Sequence, residues 1–249
     1  MKSILRVIKD KIKETFPGTW KYFKDLESFI QDFLENIKWR MKYLFFDLKR
    51  GHFSFQNSKM RYFTHRYNWA TLNERTIEVP IIYNIIKKYR GKNILEIGNV
   101  LSHYFNSNWD ILDKFEKGKN VINEDIVDFK PQGKYDLVVS ISTFEHIGYD
   151  YGEDKDSSKC LSAINYVRAN LIDSKSLFIM TIPLGYNINI DKKLFAGELY
   201  FDRIYWFRRI SYDNRWEGCK KEDIVDAKYN LPFKWANAIA ICTNTDLIL

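Results

Sequence analysis

Asn93-Ile-Leu-Glu-Ile-Gly98 is the stretch on which the reading of this 249-residue chain turns. It is short, apolar apart from Glu96, and closed by a glycine. Such a run predicts a buried strand whose end opens where backbone must approach something closely. Immediately before it, Pro80-Ile-Ile-Tyr-Asn-Ile-Ile-Lys-Lys-Tyr-Arg90 has proline at its start, basic residues in its last turn and Gly91 just beyond. That chemistry predicts a helix starting at Pro80. Further strands are expected at Trp109–Asp113, Asn120–Asp125, Tyr135–Ile141, Ser176–Ile182 and Ala236–Thr243, with a helix over Asp156–Ile172. Short apolar strands alternating with helices predict an α/β fold, a mostly parallel sheet with helices on both faces.

In such sheets ligands bind beyond the carboxyl ends of the strands. Those ends carry Gly98, Asp113, Asp125 and the run Ser140-Ile-Ser-Thr-Phe-Glu-His146. A carboxylate after the second strand can accept from a ribose diol, and one after the third from an exocyclic amine. Singly, Asp113 or Asp125 reads as a cap or turn residue. Their joint position after consecutive strands outlines a pocket for an adenosine-containing cofactor. A nicotinamide enzyme would carry G-x-G-x-x-G after the first strand, whereas Gly98-Asn-Val-Leu-Ser-His103 holds one glycine.

Ile94–Gly98, the two aspartates, Tyr135-Asp-Leu-Val-Val-Ser-Ile-Ser-Thr-Phe-Glu-His-Ile-Gly148 and Ile179-Met-Thr-Ile-Pro183 together resemble a Rossmann-fold S-adenosylmethionine-dependent methyltransferase over roughly Pro80 to Thr243. The resemblance implies S-adenosylmethionine as cofactor. It implies cofactor-binding roles for Glu96, Gly98, Asn99, Leu101, Asp113, Asp125, Ile126 and Ser140. The first loop departs from the family, which usually has two or three glycines there. In this chain the Asn99 backbone and the Ser102 hydroxyl would supply donors. Phe144-Glu-His-Ile-Gly148 also resembles the cyclopropane fatty-acid synthase branch, where the Glu helps bind a bicarbonate base with a His on the next strand. Met180 falls at that His position and offers no hydrogen-bond donor, so simple methyl transfer is expected and cyclopropanation is not.

Methyl transfer requires alignment and often the removal of one proton. His146 is the expected base, with Glu145 orienting it; a structural pair closing the pocket is the plainer reading of the same residues. His103 is a second candidate, and His52 and His65 read as surface or packing residues. The histidines have no metal-ligand spacing, so no metal is expected. Arg75 and Glu78 would either line the pocket or form an exposed ion pair. The acidic loop Tyr149–Asp156 would be a lid or a solvated loop. Tyr186 and Asn187, after the fifth strand, would offer hydrogen bonds to the acceptor. The Ser140–Thr143 run lacks the Asn/Asp-Pro-Pro-Tyr/Phe pattern of enzymes that methylate base amines. The run resembles instead the small-molecule and glycan O-methyltransferase types, which implies a hydroxyl on a sugar, glycan precursor or other small metabolite as the acceptor. A non-catalytic methyltransferase-like binding or scaffold protein is the rival.

Residues 1–92 hold 20 basic and 9 acidic side chains, a net charge of +11, and the remainder holds 19 and 23, a net of −4. This asymmetry predicts a basic helical extension over 1–79 and a catalytic domain over 80–249. The stripe Ile4, Ile8, Ile12 with flanking lysines suggests contact of residues 1–16 with an anionic membrane. Packing on the domain or on a second copy, as an oligomer, is the other reading, and nucleic acid is not favoured. Three scattered cysteines, Cys160, Cys219 and Cys242, argue against disulfides or a zinc site. No apolar run reaches membrane-span length, and the first fourteen residues are too charged for a secretory core. A cytoplasmic protein, peripheral at most to the inner membrane face, is expected.

Overall fold

The computed structural model describes residues 11, 13, 15, 17–150 and 156–247. They fall into two compact units, Met1–Leu48 and Lys49–Leu249. The charge asymmetry puts the division at 79/80 instead. Here residues 52–79 supply Phe53, Phe55, Met60, Tyr62, Ile77 and Val79 to the sheet's own core. The run of residues 1–16 expected to meet a membrane lies, apart from residues 11, 13 and 15, outside the described residues.

The first unit is helical. Helix α1, Pro17–Arg50, ends at Gly51, whose φ of +69° suits a glycine closing a helix. Its last residue, Arg50, already belongs to the second unit and is buried within it, donating to Thr71 O (2.8 Å) and to the hydroxyls of Thr76 and Thr64 (3.2 and 3.1 Å).

The second unit opens with the hairpin β1 (His52–Phe55) and β2 (Ser58–Arg61). Helix α2 follows at Arg75–Lys88, five residues earlier than Pro80 suggests. Proline inside a helix strands the carbonyl four residues back. Here that carbonyl, Thr76 O, accepts the Phe63 N–H at 2.8 Å, so the helix runs through.

Strands β3 (Ile94–Ile97), β4 (Asp110–Leu112), β5 (Val121–Ile122), β6 (Leu137–Ile141), β7 (Leu177–Pro183), β8 (Arg203–Arg209), β9 (Trp216–Cys219) and β10 (Ala238–Thr243) form one sheet in the order β5-β4-β3-β6-β7-β10-β8-β9. The first five are parallel; β10, β8 and β9 add antiparallel neighbours. Alternate residues face two cores. Ile94, Leu137, Val139, Leu177 and Ile239 join α2 and the hairpin on one side. Leu95, Val138, Phe178, Met180 and Ala240 face helix α3 (Ser157–Tyr166) and helix α4 (Ile188–Ala196) on the other. The fold is thus α/β with helices on both faces. Asp156 caps α3, accepting from Ser158 N at 2.9 Å. The expected alternation of strands and helices fails between β3 and β6. There the chain has only a 3-10 turn at Leu101–His103, because Asn106-Ser-Asn108 and its neighbours carry no apolar helical period. Strands β8 and β9 extend the sheet beyond the strands expected from the sequence.

Candidate cofactor and acceptor site

Strand order reverses between β3 and β6, and a cleft of about 480 Å³ opens at their carboxyl ends. Gly98 has φ +85°, and a Cβ there would lie 2.7–2.9 Å from Cγ2 and Cβ of Thr143 and closer still to its hydroxyl. Glycine is what lets the loops after β3 and β6 meet.

The loop after β3 is tied down from below. Glu96 is fully buried and accepts the Val100 and Leu101 N–H groups on one oxygen (3.0 and 2.7 Å) and Trp109 Nε1–H on the other (2.9 Å). Burial pushes its carboxyl up to about 7, against the lowering pull of these donors. The folded chain therefore holds this proton more tightly than the unfolded chain. Stability should fall as pH rises from about 4.5 to about 7, by about 3 kcal/mol, and level off above. Urea melts at a series of pH values should show a steeper slope in the wild type than in Glu96→Gln, where other buried carboxyls such as Glu145 still contribute; equal slopes would remove Glu96 as a source.

Asp113, just past β4, joins neighbouring loops. One carboxylate oxygen accepts Asn99 N–H (2.9 Å), and the other accepts Phe115 and Glu116 N–H (2.9 and 2.7 Å). Glu116 accepts from Asn99 Nδ2 (2.8 Å) and meets His103 Nε2 at 2.9 Å, while the His103 ring stacks on Tyr67 at 4.2 Å. Asp125, past β5, pairs with Lys114 Nζ at 3.0 Å. Between these acids Leu112, Phe115 and Ile126 give the cleft an apolar slot.

At the end of β6, Ser142 donates to Glu78 (2.6 Å), whose other oxygen pairs with Arg75 Nη1 (2.7 Å). The Arg75–Glu78 pair is buried rather than exposed, and Arg75 lines the cleft. His146 also lines it. Its Nδ1 lies 2.5 Å from Asp150 Oδ2, which accepts Tyr186 O–H at 2.6 Å. A carboxylate on Nδ1 holds the proton there and leaves the lone pair on Nε2. Glu145 Oε1 is 3.6 Å from Nε2. Glu145 is buried, neither of its oxygens has a hydrogen-bond partner among the described residues, and burial raises its pKa well above the ordinary value.

Of the residues expected at the site, Gly98, Asn99, Asp113, Asp125, Ile126 and His146 line the cleft together. Glu96, Leu101, Ser140 and Glu145 are buried and are not among the described lining residues. Glu96 braces the loop, Leu101 is in the core, and Ser140 donates to Ile97 O at 2.9 Å. The group on the orienting nitrogen of His146 is Asp150, not Glu145. The donors expected on the first loop are engaged: Asn99 N–H goes to Asp113, and Ser102 Oγ bonds Asn99 Oδ1. Asn187 caps α4 and donates to Glu145 O (2.8 Å), so it faces inward. Residues 151–155 of the expected lid lie outside the described residues. Asp150 is not legible in the sequence: the turn after Phe144–His146, with Ile147 extended and Gly148 at φ +69°, brings it back to His146 four residues earlier. Tyr67, Asn68 and Tyr104 carry no sequence signal either.

Among the described residues no helix is long and apolar enough to cross a membrane, and no cluster of three or more His, Cys, Asp or Glu is placed to hold a metal. No protein-family model matches the chain, and no curated protein matches it in sequence. Among solved structures, the chain is similar to the N-methyltransferase NodS from Bradyrhizobium japonicum in complex with S-adenosyl-L-homocysteine. That match has 11% identity, covers 61% of this chain and 76% of that one, and gives a TM-score of 0.38. It is also similar to an S-adenosylmethionine-dependent methyltransferase from Clostridium acetobutylicum, with 14% identity, 66% and 88% coverage and a TM-score of 0.35. The sugar N-methyltransferase KedS8 from Streptoalloteichus is similar at 10% identity, with 68% and 87% coverage and a TM-score of 0.35.

Proposed function

We propose that the chain is an S-adenosylmethionine-dependent methyltransferase acting on a hydroxyl of a sugar, glycan precursor or other small polar metabolite. The observation that carries this reading is the convergence, on one cleft at the sheet's switch point, of the Gly98–Thr143 approach with acids after two consecutive strands. The donor set suits the cofactor. Asp113 accepts three N–H groups and keeps one of roughly four acceptor positions for a ribose hydroxyl. Phe115 and Ile126 provide apolar surface for a base, with Asp125 at its edge. Arg75, bound to Glu78 through one nitrogen, is one of the cations lining the cleft that suit a carboxylate.

When bound, S-adenosylmethionine supplies a methyl group already activated on a sulfonium sulfur. The chain's own residues must orient the acceptor and accept its proton. His146 suits the proton-accepting role, because Asp150 fixes its tautomer, Tyr186 fixes Asp150, and Nε2 carries the lone pair. Asp150, Lys159 and Ser162 line the same part of the cleft and suit a hydroxylated acceptor better than an apolar one.

Calorimetric titration with S-adenosylmethionine and S-adenosylhomocysteine tests the first half. Both should bind, and Asp113→Ala should weaken binding about ten- to a hundredfold, the size of a lost charge-assisted hydrogen bond. Binding of neither compound by the folded wild type would favour a non-catalytic scaffold. Unchanged affinity in Asp113→Ala would place the ribose elsewhere.

A further inference from the structure

A fully buried acid stands in the apolar face of α2. Glu78 has no exposed surface, and its neighbours Ile77, Val79, Ile81 and Ile82 are equally buried. A buried ion pair adds little over apolar side chains of the same volume, so packing gives no reason for a carboxylate at this position. Its two oxygens have separate tasks. One takes Arg75 Nη1 at 2.7 Å, and the other accepts the Ser142 hydroxyl at 2.6 Å from a residue 64 positions away.

Ser142 is where the chain leaves β6, and its backbone is left-handed, with φ +40°. An L-residue holds that conformation only where its surroundings fix it. Ser142 is fixed from two sides. Its N–H donates to Thr181 O and Oγ1, both at 3.1 Å, and its hydroxyl donates to Glu78. The turn it starts runs through Thr143, which lies against Gly98, to His146, whose N–H donates to Thr143 O at 3.0 Å. Glu145 lies 3.6 Å from His146 Nε2, and neither of its oxygens has a hydrogen-bond partner among the described residues. A slack turn would therefore offer the ring a competing contact. We propose that Glu78 is a positioning residue for the proton acceptor: by holding the left-handed Ser142 it fixes the turn that presents His146 to the cleft. The purpose of this tie rests on the methyltransferase reading, whereas the tie itself is measurable in the free protein.

Nitrogen-15 NMR of the imidazole rings in the full chain is the test, with the His146 signals identified by their loss in His146→Ala. At a pH where the ring is neutral, the wild type should show one tautomer, protonated on Nδ1. Ser142→Gly removes the hydroxyl but suits a positive φ. It should melt near the wild-type temperature while its His146 signals broaden or divide between tautomers. Glu78→Gln can still hydrogen-bond the Ser142 hydroxyl through its amide and should keep the wild-type pattern. Glu78→Met cannot, and should reproduce the Ser142→Gly pattern, with no further change in the double variant. Should Glu78→Met not fold, Ser142→Gly and Glu78→Gln decide alone. Wild-type His146 signals in folded Ser142→Gly or folded Glu78→Met overturn the proposal. So does a Glu78→Gln spectrum as disturbed as that of Ser142→Gly, which would make the charge beside Arg75, not the hydrogen bond, the controlling feature. The methyltransferase reading fails by a different result: a wild type that binds neither S-adenosylmethionine nor S-adenosylhomocysteine in calorimetry while these spectra stand.

Discussion

If the chain is the proposed methyltransferase, His146→Ala should lower turnover at saturating substrates by about 10²–10⁴-fold, with cofactor affinity nearly unchanged. The effect is large because the proton-accepting lone pair is set by more than the imidazole itself. Asp150 holds Nδ1 at 2.5 Å and Tyr186 holds Asp150 at 2.6 Å, so Nε2 is presented in one tautomer. On the proposed reading, removing the ring removes the base and leaves the proposed cofactor side of the cleft, built from β3, β4 and β5, intact. A companion variant separates roles. Asp150→Asn keeps the shape but replaces a carboxylate with an amide, so the pH dependence of turnover should shift while cofactor binding holds. If His146 only braces the cleft, His146→Ala would instead lose melting temperature or cofactor affinity and keep its turnover. Full turnover in the variant would leave a reaction needing no base from this residue. His103 is poorly free to substitute, since Glu116 and Tyr67 engage it.

Gly98→Ala should destabilise the fold by about 2–4 kcal/mol, combining a left-handed backbone penalty with a steric collision. For a unit of this size that is a fall in Tm of about 5–15 °C. The backbone part follows from φ +85°, and the collision from the new Cβ against Thr143. The two parts are separable. Thr143→Ala in the Gly98→Ala background removes the colliding Cγ2 and hydroxyl, so part of the lost stability should return, whereas Thr143→Ala alone should cost little. Additive losses would show that the two residues do not press on each other. Cofactor affinity should fall with the single Gly98 variant, because the loops it separates form the cleft wall.

Much of the sheet is legible in the sequence. Strands β3, β6, β7 and β10 are buried on both faces, so they read as unbroken apolar runs, and the strand ends locate Gly98, Asp113 and Asp125. The hairpin β1–β2 is not legible, because His52–Phe55 alternates too briefly to stand out from its aromatic surroundings. Strand β8 has exposed Arg203 and Arg208 near its ends and β9 is only Trp216-Glu-Gly-Cys219, so neither shows that unbroken pattern. Proline sets the expected start of α2 too late, since nothing local shows that the Phe63 N–H will pair with the Thr76 carbonyl. At the site, residues at strand ends can be found from sequence, whereas residues acting through a turn cannot. Glu96 reads as a ligand contact, although a lone carboxylate inside a buried strand is better placed to serve the backbone around it. Adjacency in sequence favours Glu145 over Asp150 as the partner of His146, and the turn through Ile147 and Gly148 reverses that order.

The first four backbone donors of the first loop are occupied. Gly98 N–H goes to Leu112 O, Asn99 N–H to Asp113, and Val100 and Leu101 N–H to Glu96. Pyrophosphate recognition depends on a row of such amides turned outward at the start of a helix. In this chain they turn inward, toward carboxylates that would themselves repel a phosphate. On the proposed reading, the cleft would therefore discriminate among adenosine compounds by charge: those carrying a diphosphate would meet no cradle in these four amides, and those carrying a neutral or cationic substituent at the ribose 5′ position would meet no penalty.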